Sequence, residues 1–239
     1  MCPFGDPFKR RSGWLTRHVR IVSLVPSMTE TLLAWGITPV ACTRFCEQPA
    51  LTHVGGTKDP AIEAIVELHP DMVIVDAEEN RVEDHDALVD AGLHVHALRV
   101  RSVADVAAQL LPLAESLGVS WAPPTICSLA PMSAKVFVPI WKRPWMALGT
   151  PTYGSSMLAE LGLANAFEGA GAYPETTLEE AAGRGATVVI APSEPYPFGE
   201  RHRSLLEAVG PTHFVDGRDL LWWGARTGPA LERLARILA

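Results

Sequence analysis

The sequence predicts an α/β protein of two lobes, each a small parallel sheet flanked by helices, with a ligand cleft between them. Three observations carry this. Short apolar runs rich in β-branched residues recur, at Ile21 to Val25, Met72 to Val75 and Thr187 to Ala191, and their continuous apolar character suits strands buried on both faces. Helix-compatible stretches alternate with these runs, the grammar of parallel βαβ units. The grammar then restarts after an interruption at Trp121-Ala122-Pro123-Pro124.

In order, Ile21, Val22, Leu24 and Val25 form the first strand, and Pro26 ends its ladder because it has no N–H to give. Ser27-Met28-Thr29-Glu30 reads as a capping box opening a helix that Gly36 closes. Pro39 to Thr43 is a second short strand, and a loop runs from Arg44 to Asp59. Pro60 takes the first position of a helix carrying Ile62, Ile65, Val66 and Leu68. Met72 to Val75 is the third strand, with Glu78-Glu79-Asn80-Arg81 at its carboxyl end. A helix to Ala91 stops at Gly92, His94 to Val100 is a fourth strand, and Ser102 caps a helix to about Leu117.

The second half offers a strand from Lys135 to Trp141, a helix from Ser155 to Leu163, and a capping box at Thr177 to Glu180. A strand over 187–191, a helix over 201–209, a strand at 213–215 and a helix over 229–238 complete it. The division is an N-terminal extension (1–19), a first lobe (20–118), a connection (119–134) and a second lobe (135–239). The lobes are weakly alike: Ile62-Glu63-Ala64-Ile65 precedes its strand much as Leu178-Glu179-Glu180-Ala181 precedes Val188-Val189-Ile190. Paired strand ends facing each other suit a ligand held between lobes.

The chain has 239 residues, 48% hydrophobic and 20% charged, with a formal net charge of -7. This charge argues against a nucleic-acid surface and against an anionic membrane surface. No apolar run reaches the ~20 residues needed to span a bilayer. The first 20 residues carry Lys9, Arg10, Arg11, Arg17 and Arg20 without an apolar secretory core, so the expectation is a cytoplasmic protein. A trimmed N-terminus, with Cys2 a former lipid-anchor site, would place it in the periplasm or on the cell surface. Cys2, Cys42, Cys46 and Cys127 lack Cys-x-x-Cys spacing and do not suggest a disulfide framework; Cys42 and Cys46 read as small buried thiols near a strand end.

Aromatic residues concentrate in the second half: Trp141, Trp145, Tyr153, Tyr173, Tyr196, Phe198, Trp222 and Trp223. In loops beyond strand ends such rings wall a site for a large, flat or amphipathic ligand; otherwise they plug lobe edges. Arg44, Lys58, Arg81, Arg143 and Arg226 are cations near predicted strand ends, where an arginine can hold a carboxylate or phosphate with two hydrogen bonds, or else is a solvated charge. His94-x-His96 shares one strand face, a spacing some metal sites use, but no third ligand is fixed by spacing. Glu78 and Glu194 are candidates for paired carboxylates across a cleft. The motifs of nucleophile elbows, phosphate loops and dinucleotide folds are missing.

The run Arg20-Ile21-Val22-Ser23-Leu24-Val25-Pro26-Ser27, then Thr29-Glu30, Gly36-Ile37-Thr38-Pro39-Val40 and Ile62 to Ile74, resembles the substrate-binding proteins of ABC transporters for vitamin B12, haem and iron-siderophore complexes. The resemblance resumes more weakly at Val136-Phe137 and Thr177 to Ala191. It implies two α/β lobes joined by a helix, a shallow cleft that closes little, and one glutamate per lobe docking on permease arginines. Glu63 and Glu179 stand at those positions, though a glutamate in a first helical turn is favoured by the dipole anyway. Phe45 and Tyr173 stand where B12 binders have aromatics, Thr57 and Asp76 where they have tryptophans, and Trp222 and Trp223 fall in the family's last aromatic loop. The stretch from Gly118 to Lys135 is short and proline-rich for the family's interlobe helix.

The resulting expectation is a non-enzymatic protein with no intrinsic cofactor, binding a corrinoid, haem or ferric siderophore. Its ligand contacts would come from Phe45, Thr57, Lys58, Glu78, Arg81, Trp141, Trp145, Tyr173, Glu194, Tyr196, Trp222, Trp223 and Arg226. An ABC permease would meet Glu63 and Glu179, and no nucleic acid or membrane insertion is expected. The alternatives are a metal-assisted hydrolase using His94, His96 and carboxylates, and a scaffold descended from a binding protein.

Overall fold

The computed structural model describes residues 19–123 and 134–238. The N-terminal extension with Cys2, most of the 119–134 connection, and Cys127 lie outside the described residues.

The first half opens with strand β1 (Ile21–Ser23), helix α1 (Pro26–Ala34), and strands β2 (Ala41–Cys42) and β3 (Thr52–His53). It continues with α2 (Ile62–Glu67), β4 (Met72–Asp76), α3 (Val82–Asp90), β5 (Val95–Leu98) and α4 (Val103–Ser116). The strands form one parallel sheet in the order β3-β2-β1-β4-β5. As its apolar run predicts, β4 is buried along its whole length.

The second half holds β6 (Lys135–Phe137), β7 (Pro139–Lys142), β8 (Trp145–Ala147), α5 (Tyr153–Glu160), β9 (Ala164–Asn165), β10 (Glu175–Thr176) and α6 (Leu178–Gly183). Then come β11 (Val188–Pro192), α7 (Arg203–Leu206), β12 (Thr212–Val215), α8 (Gly217–Leu221) and α9 (Thr227–Leu238). A parallel sheet in the order β12-β11-β6-β9 carries an antiparallel β10-β8-β7 extension. The strand expected over 135–141 therefore divides into β6 and β7, and β7 turns back into β8 through Arg143-Pro144.

Several terminal signals act differently from expectation. The helix at Pro26 starts two residues earlier than the Ser27 box requires: Pro26 fills the first helical turn, where its missing N–H costs nothing, and Val25 is the cap without a side-chain bond. The Ser27 hydroxyl is buried with no hydrogen-bond partner, and Glu30 turns to Arg226 instead. Pro60 does not open α2; it pairs with Gly55 in a bridge. Thr177 Oγ1 accepts the Glu180 N–H at 3.0 Å, but the Glu180 carboxylate binds Arg184 rather than closing the box. Ser102 caps α4 as expected, accepting the Asp105 N–H at 3.1 Å. The helix expected from Ser155 starts at Tyr153, capped by Thr152.

The largest apolar core crosses the halves. Met28, Leu32, Val106, Leu110 and Leu113 of α1 and α4 pack in one cluster with Met157, Leu158, Leu220, Leu231 and Leu234 of α5, α8 and α9. Smaller clusters back each sheet separately. Polar contacts reinforce the junction: the Val103 N–H donates to Ser156 Oγ at 3.0 Å, and the Ala225 N–H to Thr31 Oγ1 at 3.1 Å. Trp121, just before the undescribed stretch, packs on Trp35 with centroids 5.7 Å apart.

Candidate ligand cleft

The chain crosses the carboxyl edge of the first sheet in loops that one residue ties together. Asn80 Nδ2 donates to the Leu24 carbonyl at 3.2 Å and the Thr57 carbonyl at 2.9 Å, and its Oδ1 accepts the Asp76 N–H at 2.8 Å. Asp76 gathers the next strand end: Oδ1 accepts the Glu78 N–H at 2.8 Å and Oδ2 the Val100 N–H at 3.2 Å. Burial pushes the Asp76 carboxyl up to about 6, against the pull of these N–H donors. Glu78 is held by Arg101, whose Nε lies 2.6 Å from Oε1.

Glu79 is half-buried and pushed up to about 8, by burial first and then by Asp76 and Cys46; Lys58 opposes the shift, and Glu194 of the second half adds to it. Glu194 is raised by burial too, while a hydrogen bond from Trp222 holds its charge. Its backbone fits against Gly217, where a Cβ would come within 2.4 Å of Glu194 Cγ and 2.7 Å of its nitrogen. Tyr173, 47% exposed, stands over the same acids: burial, then Glu78, Glu79 and Asp76 push its phenol up, with Arg101 opposing. The strand ends of the two halves thus come together around these acids with Tyr173 close by, and this junction is the candidate cleft.

A second aromatic group follows the carboxyl ends of β6 and β11. Trp145 stacks on Phe198 with centroids 5.9 Å apart and planes within 6°. Phe198 meets Tyr196 at 4.7 Å, and Tyr196 meets the edge of Trp141 at 5.5 Å. Trp141 ends this ladder 42% exposed.

The structure brings Thr57, Lys58, Glu78, Tyr173, Glu194 and Trp222 to the cleft, with Phe45 half-exposed on the neighbouring loop after β2. It joins Trp141, Trp145 and Tyr196 in the ladder. Three expected contacts have other work. Arg81 is paired through two bonds to Asp84, Trp223 is 3% exposed within the shared core, and Arg226 bridges Glu30 and Asp219. Glu194 acts on Glu79 across the two halves, while Glu78 is held by Arg101. Arg44 pairs with Asp59 and lies over the Phe45 ring.

His94 and His96 belong to the amino end of β5, away from the carboxyl edge. Among the described residues, no group of three His, Cys, Asp or Glu side chains is placed to hold a metal ion. An open groove of about 350 Å³ lies along Glu30, Ala34, Arg226 and Arg233, on the helical side and lined by charges already paired with one another. Glu63 and Glu179 are both exposed in first helical turns, on α2 and α6. Sequence reasoning missed Asp76 as a strand-end clamp, and Glu79, Asn80 and Arg101. Their signal was the polar segment directly after the most apolar strand, and the arginines flanking Val100.

The family model described as a periplasmic binding protein matches residues 21–120. The vitamin B12-binding protein of Salmonella choleraesuis is 29% identical over 104 residues, which are 41% of this chain and 39% of that protein; that of Salmonella typhimurium is 30% identical over the same shares. These sequence matches therefore span well under half of the curated relatives. Over the whole fold, the periplasmic vitamin B12-binding protein of Vibrio cholerae superposes with a TM-score of 0.75 at 20% identity, covering 92% of this chain and 96% of that one. The periplasmic haem-binding protein of the same organism gives 0.75 at 18% identity, covering 93% and 99%. No helix among the described residues is long and apolar enough to cross a membrane, and the expectation of a cytoplasmic protein finds no support in these likenesses. The chain thus shares the bilobed α/β fold of periplasmic vitamin B12- and haem-binding proteins, and its first half matches the periplasmic binding protein family in sequence.

Proposed function

We propose that this chain is a non-catalytic binding protein that holds a metal-bearing organic ligand in the cleft and presents it to an ABC permease. The observation that supports the reading is that exposed Tyr173 of the second half lies within electrostatic reach of Glu78, Glu79 and Asp76 of the first. Opposed strand ends with an aromatic edge and a polar floor suit a large flat ligand. Of corrinoid, haem and ferric siderophore, the corrinoid fits the charge best. With Glu78 already paired with Arg101 and Glu79 holding its proton, the acids at Asp76, Glu79 and Glu194 offer no attraction to the propionates of haem or the anionic arms of many siderophores. A cobalt(III) corrin is cationic at its metal and carries neutral amides. Trp141 and Tyr173 offer the exposed rings, and Lys58 a cation that acts on Glu79. Exposed Glu63 and Glu179 are the permease contacts in this reading, and export to the periplasm or cell surface accompanies it.

Absorption and calorimetric titration with hydroxocobalamin, haemin and a ferric catecholate tests the reading. One equivalent of corrinoid bound, with affinity falling at least about tenfold in Tyr173→Ala, is expected. Failure to bind any of the three ligand classes overturns it.

A further inference from the structure

An ion pair joins loops that follow strand ends of opposite halves. Glu47 lies on the loop after β2, and Arg218 lies in the first turn of α8, just after β12. Arg218 Nη1 donates to Glu47 Oε2 at 2.6 Å. Both strands end at the carboxyl edge of a parallel sheet, so the pair spans the gap between the two sets of strand ends. Its arginine side is rigidly mounted. Asp216 Oδ1 accepts the Arg218 N–H and Nε, both at 3.0 Å, and Oδ2 accepts Nη2 at 2.8 Å. The Gly217 N–H donates to Ser193 Oγ at 3.0 Å, beside the close packing of Gly217 on Glu194. After burial and the Trp222 bond, Asp216, Arg218 and Glu47 all act on the Glu194 carboxyl, so the pair stands next to a cleft acid. The glutamate side is looser. Cys46 is buried, and its N–H closes a turn on the Thr43 carbonyl at 3.1 Å. Beyond it, Glu47, Pro49 and Ala50 are exposed, and the stretch turns on itself through the Leu51 N–H and the Gln48 carbonyl. Glu47 has a φ of +53°, a left-handed conformation that non-glycine residues adopt at a cost.

We propose that Glu47 and Arg218 form a latch across one side of the cleft. Paired, they pin residues 47–51 as a strap to the second half and narrow the way in; parted, they release the strap and let ligand enter and leave. The effect on ligand rests on the proposed function, whereas the latch itself does not. Three features make it reversible. Asp216 keeps the guanidinium in place and paired when Glu47 departs, and the Glu47 side chain, already 58% exposed, passes into water, so opening strands no buried charge. An exposed pair of this kind is weak and screened by salt, so closed and open forms differ by a small factor in population. Release also lets the Glu47 backbone leave its left-handed conformation, which offsets part of the lost attraction. The strap is the part able to move: the shared core fixes the halves against each other, whereas an exposed stretch with few buried contacts opens locally. It directly follows the loop segment that carries half-exposed Phe45.

Amide hydrogen exchange on the full, ligand-free chain tests the latch. Glu47→Gln and Arg218→Gln are each expected to speed exchange in residues 47–51 about two- to fivefold, the range of an exposed ion pair, and the double variant to go no further, because both singles break the same contact. Sodium chloride at about 0.5 M is expected to bring the wild-type chain to the variants' rate and to leave theirs unchanged. Stopped-flow mixing with hydroxocobalamin then tests its use: association and dissociation are expected to quicken by the same factor in Glu47→Gln, leaving the affinity as it was. Unchanged exchange in both single variants, or effects that add in the double variant, overturns the proposal, as do unchanged corrinoid rates in a chain that binds. Failure to bind hydroxocobalamin, haemin or the ferric catecholate overturns the proposed function instead, and the exchange rates still decide whether the latch exists.

Discussion

Arg226 reaches from the loop before α9 to Glu30 on α1, with Nε 2.8 Å from Oε2. It also places Nη1 2.7 Å from Asp219 Oδ1, and Arg233 supplies two more bonds to that carboxylate. The network is mostly shielded, with the Arg226 side chain 15% exposed and that of Asp219 6%. Removing one member of such a group strands the others without compensation. Arg226→Ala is therefore expected to cost about 3 kcal/mol, at the lower end for buried pairs because Arg233 still serves Asp219. The midpoint and slope of urea unfolding measure it.

Gly224 is bound to this junction by geometry rather than charge. Its φ is +105°, and a Cβ there would come within 2.0 Å of Thr31 Oγ1. Gly224→Ala is expected to lose about 2 kcal/mol or more, combining a conformation unfavourable to L residues with a clash against α1. Adding Thr31→Ser leaves that clash, because the offending atom is the hydroxyl; adding Thr31→Ala relieves it and recovers part of the loss. Thermal unfolding of the two double variants separates the contributions.

The cleft acids give the protein a pH dependence of definite sign. Folded Glu79 keeps its proton up to about 8, against an ordinary value of 4.5, and folded Asp76 up to about 6, against 3.8. Between the lower and upper values the folded state binds more protons than the unfolded chain, so stability falls as pH rises through roughly 4 to 8. Glu79→Gln is expected to flatten the upper part of that slope, worth on the order of 1 to 2 kcal/mol after allowing for its partial exposure. Unfolding free energies at pH 5 and pH 8, for both chains, provide the check; equal slopes would count against the buried acid.

Two tryptophans from the same aromatic-rich half should respond in opposite ways. Trp223 is enclosed in the shared core, so Trp223→Ala is expected to cost about 3–5 kcal/mol of stability. Trp141 is 42% exposed at the end of its ladder, so Trp141→Ala is expected to leave stability within about 1 kcal/mol and to weaken ligand binding. Denaturant unfolding paired with the corrinoid titration distinguishes the two behaviours.

This difference marks where sequence reading reached its limit. Buried strands announce themselves through runs such as Met72 to Val75, and Ser102 declares its helix by the ordinary chemistry of a cap. Periodicity says which residues are apolar but not which apolar surface they meet. Trp222 and Trp223 are adjacent in the chain, yet one bonds Glu194 at the cleft and the other fills the core. Arginines pose the same problem: Arg226 looked like a ligand contact until its acidic partners were seen, one of them 196 positions away. Glu79 was overlooked because its neighbour Glu78 is identical in chemistry, and only the fold gives Arg101 to one and burial to the other. The Ser27 box failed for a local reason, since Pro26 starts the helix first.

The core that runs unbroken from α1 and α4 into α5, α8 and α9 has a thermodynamic consequence for any occupant of the cleft. Swinging the halves apart would tear hydrocarbon from hydrocarbon and open the Arg226 network at once. Under the proposed function, capture works as a mould receives a casting: the walls stand ready, and little of the binding free energy is diverted to shaping them. Release carries the mirror-image cost. Whatever empties the mould must deform its loops, those bearing Phe45, Lys58 and Tyr173, while the helical foundation stays whole.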